Sequence, residues 1–218
     1  MTKRSDLSSK CAGAAAGEDG GMTCVKVATD RLGTFSDAVI AVIITIMVLE
    51  LKAPSEASFG ALLALWPTAI SYAVSYLFIA IIWVNHHHLL RFVDRATTRL
   101  IWVNFAHLFV VSLVPFATAW VARSNLAPAP VAVYAAIFVC VNIAYRMFER
   151  DVLDQTDDSS MGQRSKRLAR RRSLATLVIF ALAALIALFA PLGGFGLICG
   201  ALILYLRPDV PPHRFHFQ

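Results

Sequence analysis

Charged residues are scarce: Asp, Glu, Lys and Arg make up 16% of the 218 residues, where a soluble domain carries about a quarter. That shortage leaves too little polar surface to solvate a single globular core. Cysteine is scarce as well. The four, Cys11, Cys24, Cys140 and Cys199, show neither paired nor metal-ligand spacing, which excludes a disulfide scaffold and a structural zinc site. No polar stretch reaches domain length; the longest, Glu149–Arg172, is charged and reads as a loop. A leader peptide is not indicated either, because Lys3 and Arg4 are followed by polar and small residues rather than an apolar core. Residues 1–30 are expected to be a disordered cytoplasmic tail.

Apolar sequence fills the rest. Hydrophobic residues are 58% of the chain, in blocks near the length that crosses a bilayer. Six blocks can be drawn: Leu32–Leu51, Ala61–Val84, Leu100–Ala122, Ala129–Phe148, Leu174–Ala190 and Leu192–Leu206. The last two form one run that would be about 50 Å long as a single helix, too long for the hydrocarbon core. Pro191, Gly193, Gly194 and Gly196 interrupt it, which predicts a tight hairpin of two short spans. Eighteen of the 20 Lys and Arg fall on one side of these spans, leaving Lys52 and Arg123 on the other. The positive-inside rule then puts both termini in the cytoplasm. The fold class is an all-α integral membrane protein of six transmembrane helices, multi-pass in the cell membrane. Residues 31–206 form the membrane domain and 207–218 a cytoplasmic tail. The basic run Arg164–Arg172 is a topology signal that can touch anionic lipid headgroups, not a nucleic-acid site.

Polar side chains recur at one depth. Asp37 lies about 9 Å into the first span, counted from Arg31. A carboxylate at that depth needs a partner or water. Asn85, His86, His87 and His88 lie at the same inner level of the second span, Asn104 and His107 in the third, Asn142 and Tyr145 in the fourth. Buried polar groups find partners, so an inner-leaflet network of Ser36, Asp37, Asn85, His86 or His87, and Asn104, with Arg31, is expected. It serves either as a packing lock or, through histidine, as a proton sensor. Three adjacent helical histidines point about 100° apart and do not converge on a metal, so neither metal nor cofactor is expected.

The first span has a second face. Phe35, Ala38, Val42, Thr45 and Leu49 step by three and four and share one side. In a lone subunit this stripe is packing or lipid surface. Around a symmetry axis it is a set of rings, Val42 near the midplane, Thr45 one turn outward and Leu49 beyond, able to gate by dewetting and to replace part of an ion's hydration shell. The outer Gly194-Phe195-Gly196 lacks the Thr-Val and the full inner helix of an ordinary potassium filter and reads as the hairpin turn. A carrier or proton-linked membrane protein using the Asp/His/Asn slab is the alternative; no nucleophile and base stand in register for an enzyme.

Arg31-x-x-x-Phe35-Ser36-Asp37, followed by Ala41, Thr45, Leu49 and Pro54, resembles the signature of the transmembrane protein 175 family of potassium channels. Trp66-Pro67, Ser71-Tyr72, Ser75-Tyr76 and Trp83-x-Asn85-His86-His87 resemble its second span, and Asn104 with Leu113-x-Pro115-Phe116-x-Thr118 its third. The resemblance covers Arg31–Thr118. It implies a passive, potassium-selective channel without the usual selectivity loop, built as a homotetramer of single six-span repeats. It also implies a pore lined by the first helix. Val42 takes the constriction, where the family usually has isoleucine or leucine; Thr45 is the threonine one turn on, and Leu49, with Ala38, completes the lining. Arg31, Phe35, Ser36 and Asp37 hold the pore helix through second- and third-span polar groups. The implied partners are potassium ions, the bilayer and further copies of the chain.

Overall fold

The computed structural model describes residues 18–93, 95–154 and 163–205. Every regular element among them is helical, in the order α1 (Glu18–Leu49), α2 (Phe59–Ala64), α3 (Trp66–Leu90), α4 (Thr98–Val111), α5 (Val114–Arg123), α6 (Pro128–Leu153), α7 (Gln163–Ala187) and α8 (Pro191–Tyr205). Four stretches are long and apolar enough to cross a membrane: Thr29–Leu49, Trp66–Leu90, Thr98–Arg123 and Pro128–Leu153. Two shorter apolar helices, Ser173–Ala187 and Pro191–Ile203, follow.

Element ends depart from the expected blocks for local reasons. α1 already runs from Glu18, inside the stretch expected as a tail; residues 1–17 lie outside the described residues, as does the C-terminal tail. The second span starts at Trp66 rather than Ala61. Ser58 caps a separate six-residue helix by accepting from the Ala61 N–H at 3.1 Å, and Pro67 then occupies the first turn of α3, where a missing N–H costs nothing. At its other end α3 continues past Val84 to Leu90, because the asparagine and histidines offer no break and His86 and Leu89 are buried. The third span is two helices. Pro115 has no N–H to give Val111 and its ring crowds that carbonyl, so α4 closes at Val111 and α5 opens at Val114.

Beyond Arg123 the backbone turns through two left-handed residues, Asn125 (φ 50°) and Leu126 (φ 60°). Asparagine tolerates that conformation, whereas leucine does so at a cost. Burial of Leu126 to 3% and its N–H bond to Val121 O hold it there. The expected loop Glu149–Arg172 is mostly helix: α6 reaches Leu153, and the basic run lies in α7. Arginine, lysine, leucine and alanine are strong helix formers, so charge did not stop the helix. The hairpin is present, but its turn is Leu188–Ala190 and the glycines are helical. Pro191 opens α8, and Gly194 lets it approach α7. A Cβ on Gly194 would lie 2.7 Å from Ala183 O and 2.7 Å from Ala187 Cβ.

The main core is shared by α1 and α3–α8. At its centre Phe78 stacks on Phe138 at 3.6 Å, and Phe180 meets Phe138 edge-on. A second cluster, including Leu32, Leu89, Leu100 and Phe148, closes the end nearer residue 32. There Arg99 pairs with buried Asp151 at 2.9 Å, tying α4 to α6. Cys140 and Cys199 are free thiols.

Candidate functional site: the bare face of the first helix

α1 is the apolar span least covered by its own chain. Within its apolar window 28% is buried, against 39–44% for the other three long spans. The covered side is Ser36, Ile40, Ile43 and Met47, each 4% exposed or less. The bare side holds Ala38, Val42, Thr45 and Leu49, with Val42 54% and Leu49 77% exposed. At 100° per residue the exposed positions span an arc of about 160°, and the Ala38–Val42–Thr45–Leu49 stripe runs down its middle. The sequence-predicted stripe therefore coincides with the surface the fold leaves open.

The chemistry of that surface is specific. Thr45 Oγ1 donates its proton to Val42 O at 2.8 Å. A hydroxyl has one hydrogen to give and two lone pairs, so its bare oxygen is left as an acceptor. A ring of such oxygens suits a cation. Val42 and Leu49, on either side, are aliphatic and present no polar atom from their side chains. Phe35 lies at the edge of the same face, 45% exposed, with its ring 5.3 Å from Phe105.

Behind α1 a chain of hydrogen bonds holds it to two neighbours. Ser36 Oγ donates to Leu32 O at 2.9 Å, and Asn104 Nδ2 donates to Ser36 Oγ at 3.0 Å. That direction makes Asn104 Oδ1 the acceptor for His86 Nε2–H at 2.7 Å, which assigns the histidine proton to Nε2. Ser36, Asn104 and His86 are each 0% exposed. The His86 ring lies parallel to two aromatic neighbours, His107 at 5.7 Å and Phe148 at 4.9 Å.

The structure does not bring every expected member into this chain. Asp37, half-buried, accepts instead from Trp83 Nε1 at 2.8 Å. His87 stacks on Trp83 and lies 3.3 Å from Arg91, and His88 is exposed; rotation of 100° per residue separates them from His86. Asn85 lines a small cleft with Asn142 and Tyr145 between α3, α6, α7 and α8. Arg31 is exposed and makes no hydrogen bond or ion pair among the described residues.

A second polar chain was not anticipated. Tyr134 O–H donates to Ser75 Oγ at 2.6 Å, Ser75 to Thr118 Oγ1 at 2.7 Å, and Thr118 to Val114 O at 2.7 Å. It ties α3, α5 and α6 together. In the sequence the signal is a hydroxyl in each of three spans, Ser75, Thr118 and Tyr134, all toward the span ends at Trp66, Arg123 and Pro128.

Comparison with known proteins identifies the family. The family model described as endosomal/lysosomal potassium channel TMEM175 matches residues 31–115, from within α1 through α2, α3 and α4 to the start of α5. A potassium channel of Chryseobacterium sp. (strain P1-3) is 33% identical over 179 residues, 82% of this chain and 93% of that protein. A potassium channel of Streptomyces collinus is 36% identical over 124 residues, 53% of this chain and 60% of that one. The crystal structure of a lysosomal potassium-selective channel TMEM175 homolog from Chamaesiphon minutus superposes with a TM-score of 0.72 at 25% identity, covering 82% of this chain and 96% of its own. With the Chryseobacterium relative 33% identical and matched over 93% of its length, the chain belongs to the TMEM175 family of potassium channels.

Proposed function

We propose that this protein is a passive potassium channel of the cell membrane, formed by four copies whose α1 helices surround a central pore. The observation that carries this reading is the bare stripe on α1. An apolar face with one hydroxyl row, centred on the least covered span, is left without cover by its own chain. Four copies of it give a Val42 constriction, a Thr45 ring of acceptor oxygens and a Leu49 ring on the outer side, with Ala38 lining the inner approach. Aliphatic rings close by dewetting, and oxygen rings replace part of an ion's hydration shell. No conventional selectivity loop takes part. In the reading, α7 and α8 are short fifth and sixth spans and both termini face the cytoplasm, as the basic residues direct.

The polar groups behind α1 support the same function as positioning residues. Ser36, Asn104 and His86 are buried and bonded to one another along a chain that ends on a backbone carbonyl. That arrangement fixes the rotation of α1 and so keeps the stripe aimed at the axis. It leaves the carrier reading without a favouring observation.

The test is flux from liposomes. Purified protein should dissipate a potassium gradient without a coupled ion, with a reversal potential that follows potassium. Saturating exchange at fixed stoichiometry would indicate a carrier and overturn the proposal.

A further inference from the structure

The bare stripe of α1 continues inward past Phe35 to Arg31, which is exposed. At 100° per residue Arg31 falls within about 10° of the line through Ala38, Val42, Thr45 and Leu49. The other charged positions of α1, Glu18, Asp19, Lys26, Asp30 and Asp37, fall about 90° or more away from that line. One charge therefore stands on this face, and it is positive. The positions that carry the line further inward, Val27 and Cys24, are uncharged residues.

Arg31 is also left over by the lock behind α1. Ser36, Asn104 and His86 close that chain on one another and on Leu32 O without it. Asp37 accepts from Trp83 instead, and exposed Asp30, about 100° round the helix, forms no ion pair with Arg31 among the described residues. The guanidinium is thus available to an anion from outside the subunit. Arg31 precedes Val42 by 11 residues, about 16 Å along the helix, and α1 stays helical below it to Glu18. In the fourfold pore the four guanidiniums face one another across the inner mouth, within a vestibule walled by helix.

We propose that the four Arg31 side chains form a binding site for a multivalent phosphate anion, which plugs the pore from the cytoplasmic side. The site rests on the channel reading above and adds a ligand to it. Charged rings in cation channels are acidic, whereas rings of arginine or lysine suit anions and phosphates. The guanidinium stays charged, and its planar fork bonds two phosphate oxygens at once. Four forks about one axis meet several oxygens of an oligophosphate. Facing the axis, the ring is turned from lipid, so a soluble oligophosphate reaches it along the vestibule and a lipid headgroup does not. Without the anion the same ring repels potassium at the inner mouth. That repulsion reaches about 30 Å at 0.01 M salt and about 3 Å at 1 M.

Potassium currents through the full-length protein in planar phosphatidylcholine bilayers test this, with tripolyphosphate as the probe. Tripolyphosphate on the side of the termini should remove most of the current, and on the opposite side leave it unchanged. Arg31→Gln should abolish that block and raise the current several-fold at about 0.01 M salt but little at about 1 M. Arg31→Lys, which keeps the charge, should retain both behaviours in weaker form. A wild-type current untouched by tripolyphosphate from either side, or an equal block in Arg31→Gln, overturns the site and leaves the channel. If phosphatidylglycerol in the bilayer, and not tripolyphosphate, changes the current through Arg31, the guanidinium faces lipid and the axial site fails. Should Arg31→Gln not assemble, the wild type decides alone: block from the side of the termini that weakens at about 1 M salt supports the ring, and block from both sides or from neither overturns it. A wild-type protein that carries no potassium current overturns the channel reading, and the site with it.

Discussion

Single side chains set what the α1 face can do. Thr45 gives its proton to the helix and keeps its oxygen for the bare side, so Thr45→Ala should lower potassium-over-sodium preference. Reversal potentials in mixed potassium and sodium solutions measure it, and no shift would remove Thr45 from the selectivity role. In the proposed pore Val42 would gate through its lack of polarity, so Val42→Asn should wet the constriction and raise resting flux several-fold; flux at the wild-type level would place the gate elsewhere. Asn104 bonds both Ser36 and His86. Asn104→Leu strands a buried donor and an acceptor, at about 1–3 kcal/mol each, and should lower the melting temperature in detergent; unaltered melting would refute the lock. Depth alone narrowed the partners of this lock to a set that held serine, asparagine and a histidine at matching distances from the basic ends, but it did not separate them from Asp37, Asn85, His87 and Arg31, which stand outside the chain. Trp83 as the partner of Asp37 was missed because the indole N–H sits on a side chain otherwise counted as apolar.

Helices were legible where apolar runs met proline or a cluster of charge, and less so where packing decided. Pro67 and Pro191 mark true starts, and Pro115 explains a break inside what reads as one block. The role of the glycines was misread because a glycine cluster signals both a turn and a close helix approach. Gly194 is of the second kind: a Cβ there meets backbone and a side chain of α7 at 2.7 Å, whereas a Cβ on Gly196 meets nothing within 4 Å. Gly194→Ala should therefore destabilise by about 1–3 kcal/mol through overpacking. Gly196→Ala should be neutral or stabilising by about 0.5–1 kcal/mol through helix propensity. Thermal melts of the two variants give the comparison, and equal melting would mean that α7 and α8 part without strain.

At the scale of the molecule the question is how a chain with one under-covered span is completed. A monomer in lipid would expose the Thr45 oxygen and leave half-buried Asp37 beside acyl chains, an arrangement costly in hydrocarbon. In the proposed tetramer, assembly about α1 would remove both groups from lipid and enclose the Thr45 oxygens in a pore. The orientation of that assembly follows from the basic residues. A fluorescent protein fused after Gln218 should glow and alkaline phosphatase at the same point should stay inactive; the reverse pair of results would invert the topology.

The order of apolar and polar residues by itself determined that this is a helical membrane protein, where most of its spans lie, which face of the first is smooth, and which polar groups share a depth. It did so because lipid demands internally bonded helices of a set length and helical periodicity is readable in one dimension. Only the tertiary structure decided that His86, and not its neighbours, joins Asn104, that Asp37 pairs with Trp83, and that the smooth face of α1 stays bare while its opposite face is buried. Those outcomes depend on how α3, α4 and α5 rotate and pack against α1, a matter of three-dimensional fit between side chains far apart along the chain.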